Sequence, residues 1–274
     1  MPTLLLSPPF NEDSQSVWEA ALETGWNVEQ VRGWQVPEGL DTAGLAYYGF
    51  LRPPFARMLA HSLSLVLLEP TVEWLPKLPT PYRARNVHLT TLADARTSRG
   101  PAFIKPAEDK HFPAGVYDNG SSLPRDESLS DSLPVLVAEP VTWEVEYRCF
   151  VLKREVVTLS PYWRHGRLVE DEGDDPWRSA TSERTSLLEW ARTLLDDPAV
   201  ALPPAVVIDI GFIEGRGWAV VEANPAWASG LYGCDPARVL PVVQRACVPL
   251  SGLTEEERRW VGDSSGEVVM GHTL

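Results

Sequence analysis

The apolar run at residues 3–7 (TLLLS) reads as a buried first strand, closed by Pro8 and Pro9. Residues 14–24 (SQSVWEAALET) carry a helical pattern that stops at Gly25, and Ser16 and Glu19 have capping-box spacing. Two further strands are expected in VEQVRGW (28–34) and GLAYYG (44–49). Strand, helix and strand of these lengths predict a small α/β unit. RPPFARMLAHSLSLVLLEP (52–70) reads as a helix with an apolar end, and WLPKLPTPYRAR (74–85) as a proline-broken connection. HLTTLADAR (88–96) is a short helix candidate.

From residue 100 the texture changes. GPAFIKPAEDKHFPAGVYDNG (100–120) reads as strand, loop and strand, and SSLPRDESLSDSLP (121–134) as a polar, turn-rich and mobile segment. VLVAEPV (135–141), VEYRCFVLK (145–153) and EVVTLSPYW (155–163) are strand-like, with a hairpin turn at Lys153–Glu155. ERTSLLEWARTLL (183–195) is an amphipathic helix with Leu187, Leu188, Ala191, Leu194 and Leu195 on one face. AVVIDIGF (205–212) and WAVVEAN (218–224) flank a tight turn and form a β-hairpin. Asp235 and Pro236 are the N-cap and first-turn proline of a helix to about Ala246, which Pro241 should kink. The charged, glycine-spotted tail after Ser251 is expected at the periphery.

Composition narrows the function. The 274 residues can form one large domain or two to three small ones, and the apolar and charged fractions of 44% and 23% are those of a soluble globular protein. A formal charge of −14 without a Lys/Arg block excludes a phosphate-backbone footprint, so no nucleic-acid partner is expected. Three scattered cysteines make neither a disulfide framework nor a zinc site and point to a reducing, cytoplasmic setting. MPTLLLSPPF lacks a basic segment and is too short for a signal peptide, and no run reaches the ~18 apolar residues of a membrane span.

The chemistry concentrates on the hairpin. Asp209 stands on one strand, and Glu222 and Asn224, two apart, point to the same face of the other. Three hard oxygen donors on one face suit magnesium, which keeps waters and binds through one or two carboxylates plus phosphates; polar strand ends are the plain alternative. Lys105, in FIKP, sits on a buried strand and needs an anionic partner, either a phosphate or an internal carboxylate. Lys110 precedes HFPAG, a segment able to fold over phosphates with Gly115 allowing close approach. Glu139 ends an apolar strand whose backbone can meet an adenine edge; a solvent-facing acid is the alternative. Glu146 and Arg148 share a strand face, either as a surface ion pair or as partners of a ribose hydroxyl and of a phosphate or acyl intermediate. Arg164 either joins that anionic pocket or is exposed. The histidines at 61, 88, 111, 165 and 272 show no HExxH, and GxSxG and GxxxxGK[ST] are absent, which counts against zinc hydrolysis, an α/β-hydrolase and a P-loop. Cys234 either approaches the site or fills a helix start.

In order, FIKP, a loop, VLVAEPV, EYRCFV and D…ExN on a final hairpin resemble the ATP-grasp superfamily, and most of all the ribosomal-protein glutamate ligase branch with its smaller relatives. The likeness covers roughly residues 96–250. It implies an ATP-grasp fold of two α+β subdomains that clamp ATP, a small N-terminal α/β (pre-ATP-grasp) domain over residues 1–95, and a tail at 251–274. It also implies two magnesium ions, replaceable by manganese, at Asp209, Glu222 and Asn224. Lys105 and Lys110 would meet phosphates, the segment of Val137 and Glu139 adenine, and Glu146 ribose; Arg148 and Arg164 would be catalytic. The family makes an acyl phosphate from a carboxylate and couples it to an amine, so a small-molecule or peptide carboxylate and an amine acceptor are the expected partners. Two departures stand out. Relatives carry another phosphate lysine about forty residues upstream of the one in FIKP; here Lys77 is the nearest, and Arg83, Arg85 or Lys110 are the candidates to replace it. The glycine-rich loop is reduced to HFPAG. A kinase on the same fold and a non-catalytic nucleotide-binding protein are the competing readings.

Overall fold

The computed structural model describes residues 1–31, 39–51, 53–108, 111–169, 177 and 179–262. β1 (Thr3–Ser7) is buried at every position because it is the centre of a parallel sheet, between β2 (Asn27–Gln30) and β3 (Leu45–Gly49). Parallel neighbours need a crossover, and α1 (Glu12–Glu23) supplies the first. It starts a turn earlier than its Ser16/Glu19 pair suggests. Asn11 is the N-cap and accepts from the Ser14 amide at 2.9 Å, while the Ser16 hydroxyl donates to the Glu12 carbonyl at 3.0 Å. The second strand ends at Gln30, and residues 32–34 of that run lie outside the described residues. α2 (Pro53–Ser62) and β4 (Leu65–Leu67) follow.

The proline-broken connection holds two helical turns, α3 (Trp74–Lys77) and α4 (Thr80–Arg83). The next segment corrects the short-helix expectation. β5 (Val87–Thr91) is a strand, and only α5 (Leu92–Ala95) is helical, capped by Thr91 through the Asp94 amide at 3.2 Å. Period-two alternation of Val87 and Leu89 with His88 and Thr90 suits a strand. β6 (Ala102–Pro106), β7 (Gly115–Tyr117) and β8 (Pro134–Ala138) complete an antiparallel sheet in the order β5-β8-β6-β7. β5 thus belongs with the Lys105 strand rather than with the N-terminal stretch that the sequence extends to residue 95. The polar segment before β8 is tied to α5's end: Arg96 donates to the Pro124 carbonyl at 2.6 Å and pairs with Asp131 at 2.5 Å.

A larger antiparallel sheet, in the order β11-β10-β9-β12-β13, joins β9 (Trp143–Leu152), β10 (Glu155–Arg164), β11 (Arg167–Leu168), β12 (Ala205–Ile213) and β13 (Gly217–Asn224). Lys153 and Arg154 make the expected tight turn, with φ of 49° and 67°, as a two-residue loop of this hand requires. α6 (Thr181–Asp196) buries Leu187, Ala191, Leu194 and Leu195 against one face of the sheet, with Leu188 at the edge of the contact. α7 (Pro236–Ala246) begins on its Asp235 cap and continues through Pro241; β14 (Cys247–Pro249) then pairs with β4.

The cores place the site. Residues 146, 148 and 150 of β9 share the sheet face that opposes α6's. At Phe150 and Val207 that face joins β1, β3, α1 and α7 in one core. The N-terminal sheet and α7 therefore form a single packed body with the large sheet's apolar end. The small sheet keeps a separate core of Leu92, Ile104, Phe112, Leu123, Val135 and Val137. Residues expected at the periphery after Ser251 are built in as far as Gly262: Trp260 is 4% exposed, its carbonyl accepts from the Glu69 amide at 2.8 Å, and Val261 bridges Leu68. Residues 263–274 lie outside the described residues. Trp260→Ala is expected to lower the unfolding free energy in urea by about 3–5 kcal/mol, the cost of emptying a buried aromatic site. A loss within about 0.5 kcal/mol would mark the segment as peripheral after all.

Candidate active site

One row of side chains crosses the large sheet. In register, Ser160 of β10 faces Arg148 of β9, Arg148 faces Asp209 of β12, and Asp209 faces Glu222 of β13. A register shift follows Asp209 on the hairpin, where one residue of β13 is left over before Val220. Asp209 is fully buried, and Arg148 grips it bidentately through Nε at 3.0 Å and Nη2 at 2.7 Å. The third nitrogen, Nη1, donates to the Gly230 carbonyl at 3.1 Å. The rings of Tyr162 and Tyr232 lie 5.5 and 4.6 Å from the guanidinium carbon. Burial raises the Asp209 carboxyl above its ordinary value, and Arg148 opposes that rise. Burial works against the Arg148 charge, but Asp209 outweighs it and holds the guanidinium above its usual range.

Asn224 completes the cluster. Its Nδ2 donates to Asp209 Oδ2 at 3.1 Å and to Glu222 Oε1 at 3.0 Å, so the three hairpin residues meet. Lys105 reaches across from β6 and donates to Glu222 Oε2. Burial acts to raise the Glu222 carboxyl, but the Lys105 charge and hydrogen bond, with Asn224, bring it down to about 2. Among the described residues no three His, Cys, Asp or Glu side chains cluster as a metal site. The donors here are two carboxylates and one amide. That set fits a hard cation that draws the rest of its shell from water and phosphate, and not a self-sufficient protein cage.

A cavity of ≈ 1180 Å³ opens over this cluster, between the two sheets, and is lined by Lys105, Glu222, Asn224, Trp74, Arg57 and Arg259 among others. Glu139 and Glu146 lie outside its lining. Glu146 is buried behind the row and accepts from the Tyr162 hydroxyl; burial first, then the Asp209 and Glu222 charges, raise its carboxyl to about 7. It pairs with Tyr162 and not with Arg148, so the exposed ion pair considered from the sequence does not form. Arg85 lies in the same region. It donates to the Val220 carbonyl at 2.7 Å and the Val221 carbonyl at 3.0 Å, and stacks 4.9 Å over Trp143. Trp143 can lie flat there because Gly211 beneath it has no side chain; a Cβ would come within 2.5 Å of the ring. Burial lowers Arg85 to about 10, against the pull of Glu146.

The remaining candidates fare differently. Arg164 does not join Arg148. It pairs with Glu183 of α6 at 2.6 Å and lies 5.9 Å from the Tyr147 ring, and Tyr147 points to the opposite sheet face from Arg148. The carboxylate at the start of α6 captures it. Glu139 is committed as well: Arg216 donates to it at 2.6 Å and the Asn86 amide at 3.3 Å, and the Arg216 bond holds its carboxyl below the usual range. Val137 lies on the central strand β8, paired with His88 on one side and Ile104 on the other, and its side chain is in the small sheet's core. Lys110 lies outside the described residues. Arg83 turns away, donating to the Val87 carbonyl at 3.1 Å. Cys234 is buried, as a filler at the start of α7.

Sequence reasoning missed Tyr162, Tyr232 and Asp13. Asp13, in the first turn of α1, accepts from the Leu231 amide at 3.1 Å, beside the carbonyl that holds Arg148. No spacing rule links a residue of α1 to a loop more than two hundred positions away. Tyr162 had a signal, because the hairpin of β9 and β10 sets it near Glu146 across a bulge.

The fold and this row are those of an ATP-grasp domain. A family model for an ATP-grasp domain, the second family of its clade, matches residues 82–242, more than half of the chain, and the chain belongs to that family. Solved structures agree on the fold. A RimK domain ATP-grasp protein from Sphaerobacter thermophilus superposes with a TM-score of 0.52 at 13% identity, covering 89% of this chain and 98% of that one. D-cycloserine synthetase DcsG gives 0.54 at 12%, covering 88% and 98%, and D-alanine–D-alanine ligase from Bacillus anthracis 0.50 at 8%, covering 89% and 96%. No curated protein matches the chain in sequence. No helix among the described residues is long and apolar enough to cross a membrane.

The Glu146 pKa sets a pH dependence. A carboxyl raised to about 7 favours the folded state while protonated, so its contribution is whole below the unfolded value near 4.5 and is lost as pH rises through 7. Glu146→Gln, which keeps an acceptor for Tyr162, should therefore gain on the wild type by about 2–3 kcal/mol at pH 8 and by little at pH 4.5. Urea unfolding at the two pH values reads this. An equal effect at both would show that Glu146 titrates normally.

Proposed function

We propose that the protein is an ATP-dependent carboxylate–amine ligase that activates a carboxylate as an acyl phosphate and passes it to an amine, releasing ADP and phosphate. One observation carries this reading. A lysine on one sheet and the Asp209, Glu222 and Asn224 cluster on the other face a single cavity, inside a domain of the ATP-grasp family. In-line phosphoryl transfer needs little covalent help from the protein; it needs charge neutralisation around the β- and γ-phosphates.

In this reading Lys105 contacts phosphate, joined by Lys110. Glu146 takes the ribose, and the chain at Glu139 takes the adenine edge once Arg216 yields. Asp209, Glu222 and Asn224 are the residues that would hold magnesium, or manganese in its place. Bound there, the ion would neutralise phosphate charge. Arg148, kept cationic by Asp209, faces the reacting end, where it stabilises the oxyanion at the carbonyl under attack. The reading gives Arg164 no catalytic role. We divide the chain ahead of β5, with the N-terminal sheet supplying the acceptor side of the cavity. The substrates are a small-molecule or peptide carboxylate and an amine. The buried free thiols suit a reducing cytoplasm.

The test is hydroxylamine trapping, with Mg·ATP and a panel of amino acids and peptides as carboxylate donors. ADP and a hydroxamate should appear together for the donor that fits. AMP with pyrophosphate would contradict the reading, and ADP with a stable phosphorylated product and no hydroxamate would make the protein a kinase. Separately, Lys105→Ala should weaken Mg·ATP binding in calorimetry by about 2–3 kcal/mol, the value of a charged hydrogen bond. Unchanged affinity would remove Lys105 from the phosphate site.

A further inference from the structure

We propose that Lys105 and Glu222 form a charge latch across the cavity, released by the metal and the nucleotide only when both bind. The proposal rests on the ATP-dependent reading above and adds a coupling between its two ligands.

The geometry is specific. Lys105 belongs to β6 of the small sheet and Glu222 to β13 of the large one, and both line the cavity. The Lys105 ammonium donates to Glu222 Oε2, and Asn224 Nδ2 donates to Oε1, so both carboxylate oxygens are engaged. The two side chains are 23% and 31% exposed, which leaves the pair accessible to solutes while keeping much of its strength. Beside it stands the Asp209 carboxylate, already held by Arg148. The cation for the phosphates and a carboxylate for the metal thus neutralise each other.

Each ligand alone meets a penalty. ATP without metal would draw Lys105 away and leave Glu222 facing Asp209 and the phosphates, all of one sign. A metal ion without ATP would draw Glu222 away and leave the Lys105 ammonium beside a second cation with no counter-charge. When both arrive, lysine re-pairs with phosphate and glutamate with metal, and no charge is stranded. Couplings of this kind span 5- to 150-fold as a rule, and partial exposure puts this one near the low end, at about 5- to 10-fold.

The experiment is calorimetric titration of the full chain with ATP, first with magnesium and then in excess EDTA. Wild type, Glu222→Gln, Glu222→Asp, Lys105→Met and the Lys105→Met/Glu222→Gln pair are compared after circular dichroism confirms folding. Glu222→Gln should bind metal-free ATP about 5- to 10-fold tighter than wild type. Glu222→Asp, which keeps the charge but shortens the reach to Lys105, should also bind it tighter. In the Lys105→Met background the Glu222→Gln gain should vanish. Unchanged or weaker metal-free binding in both single Glu222 variants would overturn the latch. So would an equal gain in the Lys105→Met background, which would reduce the effect to bulk charge. If the wild type fails to bind Mg·ATP at all, the ATP-dependent reading falls and takes the latch with it. Normal Mg·ATP binding without the gain overturns the latch alone.

Discussion

The buried pair of Arg148 and Asp209 is the constraint on which the site depends. A carboxylate with no solvent exposure is tolerable only with a partner of excellent geometry, and here two parallel N–H bonds from one guanidinium supply it. The pair is directly opposite in register on adjacent strands, so the backbone ladder fixes it. Everything else in the row takes its place from it. Asn224 bonds to Asp209, Glu222 bonds to Asn224, and Gly230 and the two tyrosines close around the guanidinium. A buried ion pair adds little net stability; its value here is that it holds an oxygen-donor cluster at one spot.

The fold explains why that spot faces a cavity. One face of the large sheet is divided along its strands. Its Phe150 and Val207 end lies in the core shared with the N-terminal sheet and α7, and its next row, Arg148 and Asp209, begins where that cover stops. The N-terminal sheet, α7 and the large sheet thus share one core, while the small sheet carries Lys105 on a core of its own. Arg85 and Arg216 tie the two sheets at the opposite side: Arg85 to the β13 carbonyls, Arg216 to Glu139 and to the Ala84 carbonyl.

Period and order made much of this readable. The hairpin of β12 and β13 was legible because two apolar runs end on oxygen-bearing residues across a short turn, and a period of two puts Glu222 and Asn224 on one face. The β9 face with Glu146 and Arg148 was legible for the same reason. What failed were pairings decided by tertiary neighbours. Arg164 was captured by Glu183 and Glu139 by Arg216, and no local pattern reports which carboxylate lies nearest in space. The same holds for β5, whose strand form depends on pairing with β8, and for Trp260, buried by a connection that returns beside β4. Charged flanks around Trp260 hid that burial, because the helical turn before it exposes most of its Glu and Arg residues while setting the indole inward.

The central claim is that Asp209, Glu222 and Asn224 are one metal-binding cluster, and the most direct measurement is the position of a bound ion. Crystals grown with manganese and a non-hydrolysable ATP analogue give that position from anomalous diffraction. The account predicts manganese within about 2.0–2.2 Å of a Glu222 oxygen and of Asn224 Oδ1, with the analogue's phosphates completing the shell and Lys105 turned from Glu222 to phosphate. Manganese bound elsewhere in the cavity, with the Lys105–Glu222 pair intact and the analogue in place, would contradict it.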